Sequence, residues 1–378
     1  MKPEFDDSQW QPVTLPYAFN GDEAFRKDIV DLTDTVCWYR KTFQAPLLSP
    51  EGEEASPRGG LEWVKFFIEF EGARQGADVW LNGQKVGFSD NGVMAFGFDL
   101  TPYMKEGKNV LAVRCDNSWT YRDRMQNSRY QWNDKNFNAN YGGLPKNVYL
   151  HITGKLYQTL PLYSNLGTTG VYVYATNIDV ENRRALINVQ SQVINEMERP
   201  CTFRLNVVIR DADGQQVAEF QGEPITLIPR QGGIVEARHR VHDLHFWSWG
   251  YGYLYTVETS LVEEGPVKTD VVITRTGFRK TDFRDGKIWL NDRVMMVHGY
   301  AQRTSNEWPG VGLSVPAWLS DYSNGLMVES GANMCAGCTS RRGSRTWSRA
   351  TASVCRKPCP LAMQRKTWRV PVGNNVKA

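Results

Sequence analysis

The chain has 378 residues, with 44 Lys/Arg against 41 Asp/Glu, 41% apolar residues and 12% aromatic residues. At about 150 residues per domain this predicts roughly two to three packed domains and excludes disorder along the whole chain. No run of about 18 apolar residues occurs, so no membrane-spanning helix is expected, and a near-neutral total argues against a nucleic-acid partner.

The charge is unevenly spread. Residues 335–378 hold ten Lys/Arg and no acid, leaving 34 Lys/Arg against 41 Asp/Glu in the first 334. Cysteine follows the same asymmetry: Cys335, Cys338, Cys355 and Cys359 lie in the tail, while Cys37, Cys115 and Cys201 are scattered and form no disulfide framework. The first residues lack a charged stretch followed by an apolar one. No signal peptide is expected, and the chain as written is expected to stay in the cytoplasm.

In chain order, short alternating runs come first. Residues 64–70 (VKFFIEF), 77–81, 110–114 and 148–152 predict strands, and Asn82-Gly83 is a two-residue hairpin signal. Such runs favour a jelly roll or sandwich over a helical fold. Residues 160–277 repeat the style, with strands predicted at 171–174, 185–189, 203–209 and 271–274 and a turn at 211–214. About 115 residues with some seven strands fits an immunoglobulin-like sandwich. After Gly277 the character changes. A hairpin-like entry at 287–297 precedes a helix opened by Ser314 and Pro316 and stopped by Gly331. Strand then helix predicts the first unit of an α/β domain, with no second unit following.

Several segments together resemble glycoside hydrolase family 2, which includes β-galactosidases, β-glucuronidases and β-mannosidases. They are 38–43 (WYRKTF), 77–83 (ADVWLNG), 96–101 (FGFDLT), 140–149 (NYGGLPKNVY), 277–279 (GFR) and the 287–299 entry. The version at 299–305 (GYAQRTS), with 318–325 (WLSDYSNG), is most similar to β-galactosidase-like members. The resemblance implies a mainly β chain. A galactose-binding-like jelly roll spans 1–154 and lacks its first strands, and an immunoglobulin-like sandwich spans 155–277. The first strand and helix of a (β/α)8 barrel follow at 278–334.

The tail, 335–378, reads as a frameshifted, non-native product. One choice of codons read out of register resembles the family's second barrel strand and helix. The four tail cysteines have the spacing of a zinc ribbon, but the tail has few apolar residues to surround an ion. No metal and no cofactor are expected.

The family's chemistry is retaining hydrolysis of glycosidic bonds by two carboxyl groups about 5 Å apart, both Glu at the ends of later barrel strands. The last acid of this sequence is Glu329, in the predicted helix, so no catalytic residue can be assigned. Arg303 resembles the family's arginine after the first barrel strand, which implies a role in orienting the nucleophile. Gln302, Asn306 and Trp308 share its loop. Residues 132–140 (WNDKNFNAN) fall where the family's first domain contacts the terminal sugar, which makes Asn133, Asp134 and Asn138 the substrate-binding candidates.

The expected partner is a galactoside-type carbohydrate, with no nucleic acid and no membrane, and the chain alone is expected to be inactive. Relatives are expected to be exported from a bacterial cytoplasm. Two alternatives stay open: a non-catalytic carbohydrate-binding or scaffold protein of two sandwiches, and a zinc-ribbon adaptor. His239, His242 and His245 read as bland, and Trp247, Trp249, Tyr251 and Tyr253 read as core of the second sandwich.

Overall fold

The computed structural model describes residues 2–20, 35–45, 64–92, 94–118, 142–263, 268–303, 317–338 and 368–370. The first unit is built from β1 (Gln11–Val13), β2 (Tyr17–Ala18), β3 (Val36–Gln44), β4 (Val64–Phe70) and β5 (Gly76–Leu81). β6 (Gln84–Ser89), β7 (Phe96–Asp99), β8 (Lys108–Asp116), β9 (Gly143–Leu144) and β10 (Val148–Gly154) complete it. A six-stranded sheet faces a three-stranded one, ordered β10-β4-β7, and β2 pairs with β9. Tyr39, Phe66, Phe70, Phe96, Leu81 and Val113 fill the space between the sheets.

Alternation sets the register. Val79 and Leu81 enter the core, while Trp80 between them faces outward against Trp38, with ring centroids 5.1 Å apart. β4 is buried almost throughout, which explains its nearly unbroken apolar run. Asn82 and Gly83 both adopt positive φ, 52° and 83°, as the predicted hairpin turn requires. The Asn82 side chain then donates to Tyr103 O and accepts from Val110 N–H, at 2.8 and 3.0 Å.

The second unit comprises β11 (Leu156–Gln158), β12 (Val171–Asp179), β13 (Arg184–Asn195), β14 (Cys201–Arg210) and β15 (Gln216–Gln221). It continues with β16 (Ile225–Leu227), β17 (Gln231–Val241), β18 (Tyr255–Val262) and β19 (Lys268–Thr276). These form a four-stranded and a five-stranded antiparallel sheet, two strands more than the sequence led one to expect. β13 alternates buried and half-buried residues along all twelve positions, the pattern of a strand with one face on a core. That core holds Ile187, Val189, Phe203, Leu205, Ile209 and Tyr255. The jelly roll joins this sandwich through Lys65, whose ammonium lies 2.6 Å from Asp99 and 2.9 Å from Glu196 of the second unit.

Next comes a three-stranded meander of β20 (Thr281–Arg284), β21 (Lys287–Leu290) and β22 (Arg293–Met295). β23 (Gly299–Arg303) leads to α1 (Ala317–Glu329), the predicted helix. Its end is a Schellman motif. Gly331 sits at φ +87°, with Gly331 N–H on Val328 O and Ala332 N–H on Met327 O, both 2.9 Å. Ser314 and Pro316 lie outside the described residues. No helix among the described residues is long and apolar enough to cross a membrane.

The structure differs from expectation after Met334. β24 (Met334–Cys338) pairs in parallel with β23, from Gly299 opposite Met334 to Arg303 opposite Cys338, so strand, helix and second strand are all present. β25 (Trp368–Val370) lies between β1 and β3 in the large jelly-roll sheet, antiparallel to both. Parallel pairing is made by backbone groups and needs little of the side chains. The small, uncharged Met-Cys-Ala-Gly-Cys sequence meets that requirement although it carries no strand signature.

Candidate functional site: a polar floor at one end of the jelly roll

Buried polar groups gather at one end of the first sandwich. β8 ends at Asp116, and the chain leaves the sheet through Asn117 and Ser118. It returns through Gly142 into β9. Asn20, Arg74, Gln75, Asp116 and Asn117 surround this point and all are buried, Asn117 completely so. They come from three places in the chain: Asn20 from the β2–β3 connection, Arg74 and Gln75 from the β4–β5 connection, and Asp116 and Asn117 from the end of β8.

Both ends of the 119–141 segment are clamped here. On the outgoing side, Asn117 N–H donates to Thr35 O at 3.0 Å, and Asp116 Oδ1 accepts from Ser118 N–H and Oγ–H at 3.1 and 2.5 Å. Arg114 Nη2 holds the other Asp116 oxygen at 2.9 Å, and Gln75 N–H donates to Asp116 O at 3.0 Å. On the return side, Gly142 N–H donates to Asn20 Oδ1 at 3.0 Å, and Gly143 exchanges two backbone hydrogen bonds with Arg74, at 2.9 and 3.0 Å.

The glycine pair is required by contact. A Cβ on Gly142 would lie 2.4 Å from the Phe19 ring, and one on Gly143, at φ +104°, would lie 2.0 Å from Tyr39 Oη. The Tyr39 hydroxyl in turn donates to Tyr17 O at 3.0 Å. Buried hydrogen bonds of this kind rigidify their surroundings. Here the rigid element flanks the amide-rich stretch 132–140 of the sequence.

Asn133, Asp134 and Asn138 themselves lie outside the described residues. Arg303 is the last residue of β23, at the carboxyl end of the first parallel strand, the end where barrel enzymes build their sites. Asn306 and Trp308 lie outside the described residues. Glu329 ends α1 and is exposed, as a solvated helix residue should be.

Sequence reasoning did not single out Asn20, Arg74, Gln75, Asp116 or Asn117. The available signal was Asp116-Asn117-Ser118 directly after a nine-residue strand, a cluster of residues that satisfy backbone where a sheet stops.

Among the described residues no group of three His, Cys, Asp or Glu could hold a metal ion. Cys335 and Cys338 fall in β24, and Cys355 and Cys359 lie outside the described residues. His239 stacks on Phe220 with centroids 5.4 Å apart, whereas His245 meets Tyr251, so the histidines do not converge.

One expectation needs correction. Trp249 and Tyr251 do not pack in the second sandwich; they are 39% and 46% exposed. Two mutual backbone hydrogen bonds between Ser248 and Tyr251, at 3.0 and 3.1 Å, close a tight turn with Gly250 at φ +71°. The turn lifts both rings off the core.

Two family models match the chain. One, described as "Glycosyl hydrolases family 2, sugar binding domain", matches residues 37–154, and the other, "Glycosyl hydrolases family 2", matches 171–279. A Formosa agariphila β-glucuronidase is 34% identical over 339 residues, 87% of this chain and 33% of the relative. The β-galactosidase BoGH2A of Bacteroides ovatus is 28% identical, over 79% of this chain and 32% of the relative. A solved family 2 β-glucuronidase superposes with a TM-score of 0.77 at 30% identity, covering 93% of this chain and 36% of the other. The chain thus spans about a third of the length of the relatives it matches.

Proposed function

Because the chain belongs to glycoside hydrolase family 2, we propose that it is the sugar-contacting and spacer portion of a retaining β-glycosidase of β-galactosidase type. That enzyme hydrolyses O-glycosyl bonds in oligo- and polysaccharides. The observation that carries this reading is the clamp at Gly142–Gly143 and Asn117–Ser118. It fixes the residues that flank the stretch bearing Asn133, Asp134 and Asn138 in the family's sugar-binding domain. Planar amides and a carboxylate on a rigid base suit the hydroxyls of a terminal sugar. Arg303, at the end of β23, positions the nucleophile.

Hydrolysis with retention needs two carboxyl groups about 5 Å apart, and this sequence has no acidic residue after Glu329. The chain alone is therefore inactive. Two measurements test this. Purified chain is incubated with 4-nitrophenyl β-galactoside and β-glucuronide, and no turnover above buffer is expected; hydrolysis by the pure chain refutes the reading. Source DNA is sequenced past the codon of Met334 in all frames. Further barrel strands ending in two glutamates are expected, and their absence in every frame overturns it.

A second reading is a non-catalytic carbohydrate-binding protein of two sandwiches. It is favoured by the two sandwiches each having a buried core of its own. Glycan binding by the chain, lost in Asn138→Ala and Asp134→Ala, without any barrel sequence downstream would favour it.

A further inference from the structure

We infer that the 245–253 turn of the second sandwich is a separate carbohydrate-binding platform, on which a pyranose ring stacks against Tyr251 and His245. Tyr253 underlies it. His245 lies 4.5 Å from the Tyr253 ring at 20°, and Tyr251 lies 5.8 Å from it at 27°. His245 and Tyr251 are only 6.1 Å apart. On opposite faces of Tyr253 their separation would approach the sum of the other two distances. Both rings therefore cover the same face of Tyr253, side by side and inclined 45° to one another, with the exposed Tyr251 face as the main stacking surface and half-buried His245 as its flank.

The polar edge of this surface has a defined donor sense. Arg183 Nη2 points at His245 Nε2 from 3.3 Å, and a guanidinium can only donate. His245 Nε2 is then the acceptor, and Nδ1 carries the proton. Tyr251 Oη, 2.7 Å from Nδ1, must accept that proton's hydrogen bond, so its own hydrogen is left to point at a ligand. Arg183 is held in place by Nε on Leu244 O and Nη2 on Asp243 O, at 3.2 and 2.9 Å. These bonds leave its Nη1 edge as a second donor. Two donors beside the exposed face of Tyr251 match ring and hydroxyl oxygens flanking the C–H face of a pyranose.

The relief favours a rigid flat ligand. Gly250 and Gly252 separate Trp249, Tyr251 and Tyr253, so nothing rises between the aromatic rings. The aliphatic neighbours Leu244 and Leu254 are buried and add no exposed apolar area of the kind a protein partner needs. Sugar as the ligand rests on the glycosidase reading above; the ring geometry does not.

The test is affinity electrophoresis of the full chain in gels containing a neutral β-1,4-galactan or acidic polygalacturonate, with sedimentation run alongside. Retardation of the wild-type chain is expected. Tyr251→Ala should weaken it at least about tenfold, the loss of an aromatic contact and its hydrogen bond. Tyr251→Phe, which keeps the ring, should weaken it about three- to tenfold, and Ile228→Ala, at an exposed position outside the platform, should leave it unchanged. Stronger retardation by polygalacturonate assigns a carboxylate to Arg183, and equal retardation assigns hydroxyls.

Loss of binding in Asn138→Ala but not in Tyr251→Ala overturns the platform and leaves the glycosidase reading intact. No wild-type retardation in either gel also overturns the platform, since the reading-frame test of the enzyme stands independently. Self-association abolished by Tyr251→Ala, without glycan binding, overturns it in favour of a protein interface.

Discussion

The sharpest quantitative expectation concerns Asp270, on the second sandwich's edge strand β19. Its carboxyl is enclosed although the residue keeps part of its surface in solvent, and burial raises its pKa from 3.8 to about 6. Hydrogen bonding from Gln158 acts the other way without cancelling the burial, its backbone N–H donating to Asp270 Oδ2; Gln158 Nε2 separately donates to the Asp270 main-chain O. Gln158 itself is locked by Ser191 Oγ and Thr259 O, so the latch ties β11 to both sheets.

A carboxyl with a raised folded pKa is protonated more readily in the native state. Its stabilising contribution is fully present below about pH 4 and is lost as pH rises towards 6. At 1.36 kcal/mol per pKa unit the loss is about 3 kcal/mol, complete above pH 6. Asp270→Asn removes the charge and keeps an acceptor oxygen for Gln158 N–H. It also suits the left-handed backbone, where φ is 51°. The variant should therefore be more stable than wild type at pH 7.5 by about 1–3 kcal/mol and equal to it at pH 4. Urea unfolding of both proteins at the two pH values measures this. An Asn variant that is no more stable at pH 7.5, or that loses as much stability as wild type between pH 4 and 6, would refute the assignment.

Two other substitutions probe the frame. Lys65→Met leaves Asp99 and Glu196 facing one another at the junction of the two sandwiches. Because both carboxylates are about a third exposed, the loss should be modest, about 1–2 kcal/mol, read as a lower melting temperature that high salt partly restores; an unchanged melting temperature would show that the junction is held elsewhere. Gly143→Ala should cost about 2–4 kcal/mol, from a Cβ set against Tyr39 Oη at a positive φ. Gly214→Ala, also at positive φ but with nothing within 4 Å, should cost only about 1 kcal/mol. Equal losses for the two glycines would mean that backbone strain, and not the Tyr39 contact, controls the clamp.

Much of the fold was legible because burial writes itself as alternation. Residues 64–70 coincide with β4, and 287–290 with β21, since a strand with a core on one or both faces leaves a periodic trace. The helix end was legible too, because only a residue tolerant of positive φ closes a Schellman motif, and Gly331 supplies it. β24 and β25 left no such trace. Their pairing is made by backbone groups, which every residue type but proline presents alike. The polar floor was hidden for a related reason. Asn20, the Arg74-Gln75 pair and Asn117 come from three distant stretches of sequence and meet only when the sheets fold, so the run 116–118 marks a strand end but not the cluster.

Trp247, Trp249, Tyr251 and Tyr253, read from the sequence as core of the second sandwich, show how such a reading holds for part of a run and fails for the rest. The run continues into Tyr255. In the structure the row is a ladder that climbs out of the core. Tyr255 is buried against Phe278, Tyr253 is half-buried 5.1 Å above it, and Tyr251 is exposed beyond that. The cause is the Ser248–Tyr251 turn. Period-two alternation holds a face only while the backbone stays extended, and a turn closed by two mutual hydrogen bonds reverses the chain before the pattern ends. A glycine at alternate positions was the signal that separated the two cases. A buried strand gains from a side chain on both faces, whereas Gly250 and Gly252 give up packing to allow a turn and leave the rings uncovered. That loss of packing beneath exposed rings is hard to account for as core architecture, and it is what directs attention to the outer faces of Tyr251 and His245.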